Sequence, residues 1–432
     1  MTAEIAILNR SALALAADSA VTISVGGKTK VYDSAEKLFE LTKLQPIALM
    51  IYNNVEFVGV PLDVLIRKFR NEHDKSGKIY DSIKVSCDHF LDYLKSFEHD
   101  VLEEQKYLFT VLSDHFQMLE KKSTSQVIAA LKAWFENPDG DRPSAEAIFE
   151  KLVMKEIEIE RARPLEGFLT KVKVSEFRER YEDVIKHAAI SNFSVEIGSK
   201  LLTLLIRYAF AIVRSANGSD LLTGLVFGGF AKDDIFPTLR YLEIDGVFFD
   251  ELKILSCNEI DIDRNSVRAE VVPFAQKEMV ERFMYGLDSG LQSEVAAFVN
   301  NLIDQVVEGI DSPDTPKLVD KVKSKVSENF SDLLKRLKDS SRQDLLDVVY
   351  FMSKKELADI AYALVELTSQ KRRFSTEEET VGGPIDVAIL TQNEGFVWIR
   401  RKHYFSPDLN GGYLGRSSLT NGDIRNDGNH EG

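Results

Sequence analysis

The second residue of the chain is a threonine, and its chemistry depends on removal of the initiator methionine. A small residue at this position permits that removal, and the chain would then begin at Thr2 with a free α-amine beside a hydroxyl. Because an α-amine has a pKa of about 7.7 to 8.0, it can accept the hydroxyl proton at neutral pH. A nearby lysine would lower the pKa of that amine by like-charge repulsion. Threonine is common at position 2, so Thr2 alone does not establish catalysis.

The stretch ALALAADSAVT, residues 12–22, contains a second group that could do chemistry. It begins as an apolar strand and then reaches Asp18, Ser19 and Thr22. A carboxylate at the end of a segment patterned for burial is costly unless another group pairs with it. We therefore expect Asp18 to have a partner elsewhere in the fold.

Blocks of strands and helices alternate along the chain and predict how these residues are positioned. Apolar alternation or short apolar runs predict strands at 4–8, 12–17, 46–52, 223–255 and 267–274, with a closing hairpin over 382–405. Apolar residues three and four apart predict helices over 61 to about 218, 289–352 and 354–371. A further helix is predicted to start near Pro273, since proline suits a first helical turn.

Apolar patterns typical of strands occur at both ends of the chain. They favour a sheet assembled from both ends, with helical layers packed over it. We predict an α+β protein whose core comprises residues 2–60, 219–288 and 353–405. Residues 61–218 and 289–352 would be two helical insertions, and 406–432 a disordered tail poor in large apolar residues.

The pattern of Thr2, Asp18, Thr22 and Lys37 resembles the N-terminal core of proteasome β subunits and their bacterial HslV relatives. These belong to the N-terminal nucleophile (Ntn) hydrolase superfamily, in which an N-terminal threonine, an aspartate after the second strand and a lysine in the third form the active centre. Asp18 follows Thr2 by sixteen positions, and Lys37 lies just beyond a Gly26-Gly27 turn. The resemblance implies a four-layer αββα sandwich with Thr2 as nucleophile and Asp18 and Lys37 as its partners. It also implies that the backbone at Thr22, beside Ser19, binds an extended substrate.

The other end of the chain carries a second part of the resemblance. E-x-x-V-G-G, residues 378–383, is similar to the family's D-x-x-S-G-G, so Glu378 would replace the supporting aspartate. Residues 225–246 resemble the family's central hairpin. The chain departs from the family at Asn53, which stands where a glycine amide forms the oxyanion hole, and at 272–276, where an S-G-S segment is missing. Asparagine tolerates unusual backbone angles, so we expect the amide donor to survive at Asn53.

The resemblance implies a threonine hydrolase that cleaves amide bonds, with a peptide or protein substrate paired along Thr22 and residues 51–54. Two alternatives stay open: a catalytically inactive, proteasome-like scaffold whose insertions bind a protein partner, and an amidase acting on small molecules. Relatives in this family form rings and work with an ATP-driven unfoldase. A homo-oligomer and an unfoldase are therefore partners that the resemblance implies.

Composition excludes several other classes of function. The net charge of −15 over 432 residues opposes general binding to nucleic acid or to an anionic membrane surface. No apolar run approaches the length of a membrane span, and no leader segment is recognisable, so we expect a cytoplasmic protein. The two cysteines and seven histidines show no metal-ligand spacing, so no metal or other cofactor is expected. The basic run 400–403 is expected to be a solvated strand end.

Overall fold

The computed structural model describes residues 3–25, 28–97, 101–136, 141–286, 288–307, 315–374, 382–403, 405 and 409–410. For residues 22–25, 28–29, 306–307 and 315–319 it describes the backbone alone. Thr2 and Glu378 lie outside the described residues, as does almost all of the predicted tail.

The described residues form fourteen strands and ten helices. The strands are β1 (Ala3–Asn9), β2 (Ala12–Ala17), β3 (Val21–Val25), β4 (Lys28–Tyr32), β5 (Leu38–Thr42), β6 (Ile47–Asn53), β7 (Glu56–Phe57), β8 (Val60–Pro61), β9 (Thr223–Gly229), β10 (Thr238–Phe248), β11 (Glu251–Asp261), β12 (Ala269–Ala275), β13 (Asp386–Thr391) and β14 (Gly395–Arg400). The helices are α1 (Leu62–Ser76), α2 (Ile83–Ser96), α3 (Val101–Glu136), α4 (Ala145–Arg161), α5 (Val174–Asn192), α6 (Ser199–Arg214), α7 (Glu278–Tyr285), α8 (Ser289–Val307), α9 (Thr315–Phe351) and α10 (Lys354–Arg373). None of these helices is long and apolar enough to cross a bilayer.

Two five-stranded sheets form the centre of the molecule. The first has the order β12-β1-β2-β13-β14 and the second the order β11-β10-β9-β6-β5. The strand pairings within both sheets are antiparallel. The first sheet joins β1 and β2 to β13 and β14, as expected for a sheet built from both ends of the chain. The protein is thus a mixed α and β fold with antiparallel sheets.

Apolar alternation along β1 shows how the layers are held together. Ile5 and Ile7 pack with helices α7, α9 and α10, whereas Ala6 and Leu8 face the second sheet. The opposite face of the second sheet packs on helices α1 to α6, which form the largest apolar cluster. Each large aliphatic side chain fully buried in these layers contributes roughly 1.5 to 3 kcal/mol relative to an exposed position.

The predicted start of a helix near Pro273 is wrong. Pro273 lies within β12, opposite Ile5 of β1, and α7 begins only at Glu278. β12 is the edge strand of the first sheet, so it pairs with one neighbouring strand only. A proline there can disturb the hydrogen bonds of that single pairing and not of two, so the strand can contain it.

A buried tyrosine and two histidines join α1 and α2. The Tyr80 hydroxyl lies 3.1 Å from Nδ1 of His73 and 2.8 Å from Nδ1 of His89. Burial raises the pKa of Tyr80, so the hydroxyl stays protonated and can donate to one neutral imidazole. Burial also lowers the pKa of both histidines. The imidazole that accepts this hydrogen bond must therefore be neutral, and the other ring donates to the hydroxyl oxygen.

This cluster predicts a loss of stability in mild acid. Because the folded-state pKa values of His73 and His89 lie below the ordinary value, their contribution is present above about pH 6.5 and falls as the pH drops toward the folded values. His73→Gln removes one titrating group. We expect its loss of Tm between pH 7 and pH 5 to be smaller than that of the wild type by about 2 °C. Equal losses of Tm in the two proteins would contradict this assignment.

Candidate active site

Asp18 follows β2 directly and is completely buried. Its backbone N–H donates to the carbonyl oxygen of Ala3 at 3.1 Å, and its Oδ1 accepts from the Ala3 N–H at 3.3 Å. Its Oδ2 accepts from the N–H of Gly382 at 3.0 Å, just before β13. The carboxylate thus ties the start of the described chain to the segment that enters the last hairpin.

Lys37 is the partner that the buried carboxylate requires. Its Nζ lies 2.5 Å from Oδ1 of Asp18, and the lysine is 1% exposed. The residue directly precedes β5, and its carbonyl oxygen accepts from the N–H of Ile51 on β6 at 2.8 Å. The second sheet therefore delivers the ammonium to a carboxylate held by the first sheet.

Glu4 is a third charged group of this site, one that no sequence motif indicated. Its Oε1 lies 3.2 Å from Nζ of Lys37, and the residue is 2% exposed. In β1 it is opposite Ala17 of β2 and Phe274 of β12. The alternation of β1 was the available signal, because Glu4 shares its face with Ala6 and Leu8, which lie between the sheets.

A second ion pair lies beside Asp18, around its neighbour Ser19. Nζ of Lys402 donates to Oγ of Ser19 at 2.6 Å and to Oδ2 of Asp386 at 2.8 Å. The Ser19 hydroxyl in turn donates to the carbonyl oxygen of Pro384. The expectation of a solvated strand end at 400–403 is therefore wrong for Lys402, whose side chain is 11% exposed. The partners of Lys402 were not apparent in sequence, because these contacts form only when the last hairpin packs beside β2.

Asn53 ends β6, two residues beyond the Ile51 amide that binds Lys37. Its φ of +63° is an unusual backbone angle of the kind that asparagine tolerates best among non-glycine residues. The separation along the strand from Ile51 is about 7 Å. Thr22 lies in β3, opposite Val31 of β4, on a separate two-stranded ribbon.

The structure brings together Asp18, Lys37, Ser19 and the unpredicted Glu4, and it places Asn53 farther along β6. The site carries a buried ammonium that can stabilise developing negative charge, with carboxylates that fix its position. Within the described ranges, no group of three His, Cys, Asp or Glu residues is arranged to hold a metal ion.

No protein-family model matches the chain, and no curated protein matches it. A solved structure of Anbu from Hyphomicrobium sp. strain MC1 is similar at 10% identity and a TM-score of 0.27, over 99% of this chain and all of that one. A Gly-1 mutant of the same Anbu is similar at 9% identity and a TM-score of 0.28, over the whole of both chains. Anbu is an HslV-like protein of the proteasome type. Likeness at these TM-scores is too distant to carry an inference about function, which must come from the site itself.

Proposed function

We propose that the chain is a proteasome-like Ntn hydrolase with a four-layer αββα core, and that it cleaves amide bonds through Thr2 after removal of Met1. The observation that carries the proposal is the buried contact between Lys37 and Asp18 next to Ala3. Because Ala3 follows Thr2 directly, a chain beginning at Thr2 would start one residue from an ammonium and the carboxylate that holds it. A threonine with a free α-amine at that place has what nucleophilic catalysis requires.

The proposed reaction begins with transfer of the Thr2 hydroxyl proton to the α-amine, directly or through water. The hydroxyl oxygen then attacks the amide carbonyl, while Lys37 stabilises the negative charge that develops and Asp18 orients the lysine. The backbone N–H of Asn53 would receive the oxyanion. The protonated amine returns its proton to the leaving nitrogen, and water hydrolyses the acyl-enzyme to regenerate Thr2.

A peptide is the substrate class that the backbone around the site favours. In the part of the chain that the structure describes, β3 pairs with β4 alone, so one edge of the Thr22 strand faces no other strand. The end of β6 runs past the start of β5, whose first paired residue, Leu38, is opposite Met50. An extended peptide can add to such segments through main-chain hydrogen bonds, whereas a small amide would use the nucleophile without them.

The test is the intact mass of the purified full chain before and after treatment with an electrophilic probe for threonine proteases. We expect a chain that begins at Thr2 and gains one probe adduct, no adduct in Thr2→Ala, and a slower adduct in Thr2→Ser. Lys95→Met, a change in an exposed helical ion pair of α2, is the matched control and should label at the wild-type rate. Retention of Met1, or a mature Thr2 that gains no adduct, would favour the inactive scaffold.

A further inference from the structure

Different groups hold the two oxygens of the Asp18 carboxylate. Oδ1 lies 2.5 Å from Nζ of Lys37 and accepts from the Ala3 N–H at 3.3 Å. In the described part of the chain, Oδ2 accepts from the N–H of Gly382 at 3.0 Å and from no other group. Because a carboxylate can rotate about its Cβ–Cγ bond, the contact with Gly382 fixes the rotation at which Oδ1 faces the lysine. The backbone at Gly382 therefore controls the direction of the ion pair.

Regular strand pairing does not reach Gly382. The antiparallel ladder between β2 and β13 begins at Asp386, four residues farther along the chain. Pro384 lies between them and has no N–H with which to extend the ladder, and Gly383 turns the chain with a φ of +76°. The Ser19 N–H donates to the Gly382 carbonyl oxygen, but at 3.3 Å this hydrogen bond is long. The segment 382–384 therefore depends on side-chain contacts for its position.

Ser19 and Lys402 supply these side-chain contacts. Nζ of Lys402 donates to Oγ of Ser19 at 2.6 Å. Because an ammonium cannot accept a hydrogen bond, the Ser19 hydroxyl must direct its own proton elsewhere. That proton goes to the carbonyl oxygen of Pro384. The lysine thus fixes the direction in which Ser19 holds the segment 382–384.

Asp386 holds Lys402 in turn. Its Oδ2 accepts from Nζ of Lys402 at 2.8 Å, and its Oδ1 accepts from the Lys402 backbone N–H at 2.7 Å. Asp386 is 3% exposed. The ion pair is neutral overall, so it orients Ser19 without adding net charge beside Asp18 and Lys37. Ser19 is completely buried, so its contact with a lysine does not present a second nucleophile to a substrate.

We propose that Lys402 is a positioning residue of the candidate active site, which with Asp386 locks Ser19 onto the segment 382–384 so that Gly382 holds the Asp18 carboxylate toward Lys37. The inference rests on the proposed function, because the ion pair of Asp18 and Lys37 is the part of the mechanism that it serves. Lys402 does not touch the reacting atoms and acts through Ser19 and Gly382. The end of the last hairpin thereby takes part in aligning the active-site lysine.

The first measurement follows the contact itself, through hydrogen exchange of the Gly382 amide in the full chain, read by NMR. The double variant Lys402→Met, Asp386→Asn removes the ammonium without leaving a buried carboxylate unpaired. We expect Gly382 to exchange about tenfold faster in this variant, whereas the amide of Ile389 in the middle of β13 keeps its wild-type rate. Lys354→Met breaks an exposed ion pair at the turn of the same hairpin and should leave both rates unchanged. An unchanged Gly382 rate in the folded double variant would overturn the inference.

The second measurement separates positioning from a purely structural role. The threonine-protease probe yields an affinity and a rate constant for adduct formation at saturation. In the double variant we expect the rate constant to fall about tenfold and the affinity to stay within about twofold, because alignment of Lys37 affects the reaction step and not the binding surface. Ser19→Ala removes the hydroxyl through which Lys402 acts, so it should lower the rate constant to a similar extent and add little when combined with the double variant. A wild-type rate constant in the double variant, or effects that multiply in full, would contradict the assignment.

Failure of the inference and failure of the proposed function give different results. Faster exchange of Gly382 in the double variant of a protein that gains no adduct would support the role of Lys402 in holding Asp18 and refute the hydrolase. A wild type that gains an adduct, with a folded double variant that gains it at the same rate, would support the hydrolase and refute the role of Lys402.

Discussion

Replacement of Lys37 by methionine is expected to remove probe labelling and to lower the free energy of unfolding by about 3 to 5 kcal/mol. The lysine is 1% exposed and lies within 3.2 Å of two buried carboxylates, so its loss removes the cation that both Asp18 and Glu4 contact. Methionine fills a similar volume, and the cost therefore comes from charge rather than from a cavity. Chemical denaturation measures the stability, and intact mass after probe treatment measures the labelling.

Replacing all three charged side chains of the site separates the contribution of charge to the free energy of unfolding from that of packing. The triple variant Glu4→Gln, Asp18→Asn, Lys37→Met has no uncompensated charge at the site, and we expect it to recover most of the lost stability without recovering labelling. Lys95→Met should change the free energy of unfolding by no more than about 0.5 kcal/mol, since its ion pair with Asp92 is exposed. If Lys37→Met were as stable as this surface variant, the ion pairs of Lys37 with Asp18 and Glu4 would not contribute to the stability of the fold.

Strand alternation predicted much of the sheet framework from sequence. The runs at 4–8 and 12–17 fall within β1 and β2, and the run at 46–52 overlaps β6. The predicted strand region 223–255 contains the paired strands β9 and β10, and 382–405 contain the closing hairpin. These segments were recognisable because an apolar period of two is a local signal. The division into core and insertions stays a prediction.

Features that depend on tertiary context were missed. Pro273 suggested a helix start because nothing local identifies an edge strand. Lys402 was expected to be solvated because its contacts with Ser19 and Asp386 depend on the arrangement of β2, β13 and β14. Glu4 was overlooked because it lies in an apolar strand. Its place in the alternation of β1, on the same face as Ala6 and Leu8, puts it between the two sheets.

The residues of the candidate site were predicted from the resemblance to proteasome β subunits and their HslV relatives, and not from strand or helix periodicity. The pairing of Asp18 with a distant lysine could not follow from spacing alone, since the two residues meet between different sheets. The resemblance selected Lys37, and the structure places its Nζ 2.5 Å from the carboxylate. The catalytic roles of Thr2, Asp18, Lys37, Glu378 and Asn53 all stay predictions, which the labelling experiment addresses through the nucleophile.

A second buried charge cluster, at the junction between the second sheet and the helices, carries the other large predicted effect. Asp245 of β10 accepts from Nζ of Lys253 at 2.9 Å, from the Tyr107 hydroxyl of α3 at 2.9 Å and from the Ser219 hydroxyl at 2.5 Å. Asp245 and Lys253 are each 3% exposed. Burial, followed by the charge of Asp245, raises the pKa of Tyr107, so this hydroxyl remains a donor.

The backbone at this point is shaped for the contact with α3. The pairing of β10 with β11 shifts register between Ile244 and Val247, which marks a bulge beside Asp245. Gly246 has a φ of +87°, and a Cβ added there would lie 2.6 Å from the ring of Tyr107. Only glycine therefore meets both the backbone angle and the space that the ring leaves. The bulge and the carboxylate together anchor α3 to the sheet.

Asp245→Asn is expected to lower the free energy of unfolding by about 3 to 5 kcal/mol, because the amide can still accept hydrogen bonds but leaves Lys253 buried without a counter-charge. Tyr107→Phe loses only hydrogen bonds and should cost about 1 kcal/mol. The double variant Asp245→Asn, Lys253→Met should recover part of the loss, since it removes the isolated charge. Probe labelling at 25 °C should persist in every variant that stays folded, because Asp18 and Lys37 form no contact with this cluster among the residues that the structure describes. Denaturation that shows Asp245→Asn to be no less stable than Tyr107→Phe would mean that hydrogen bonding, and not the buried charge, holds the helices to the sheet.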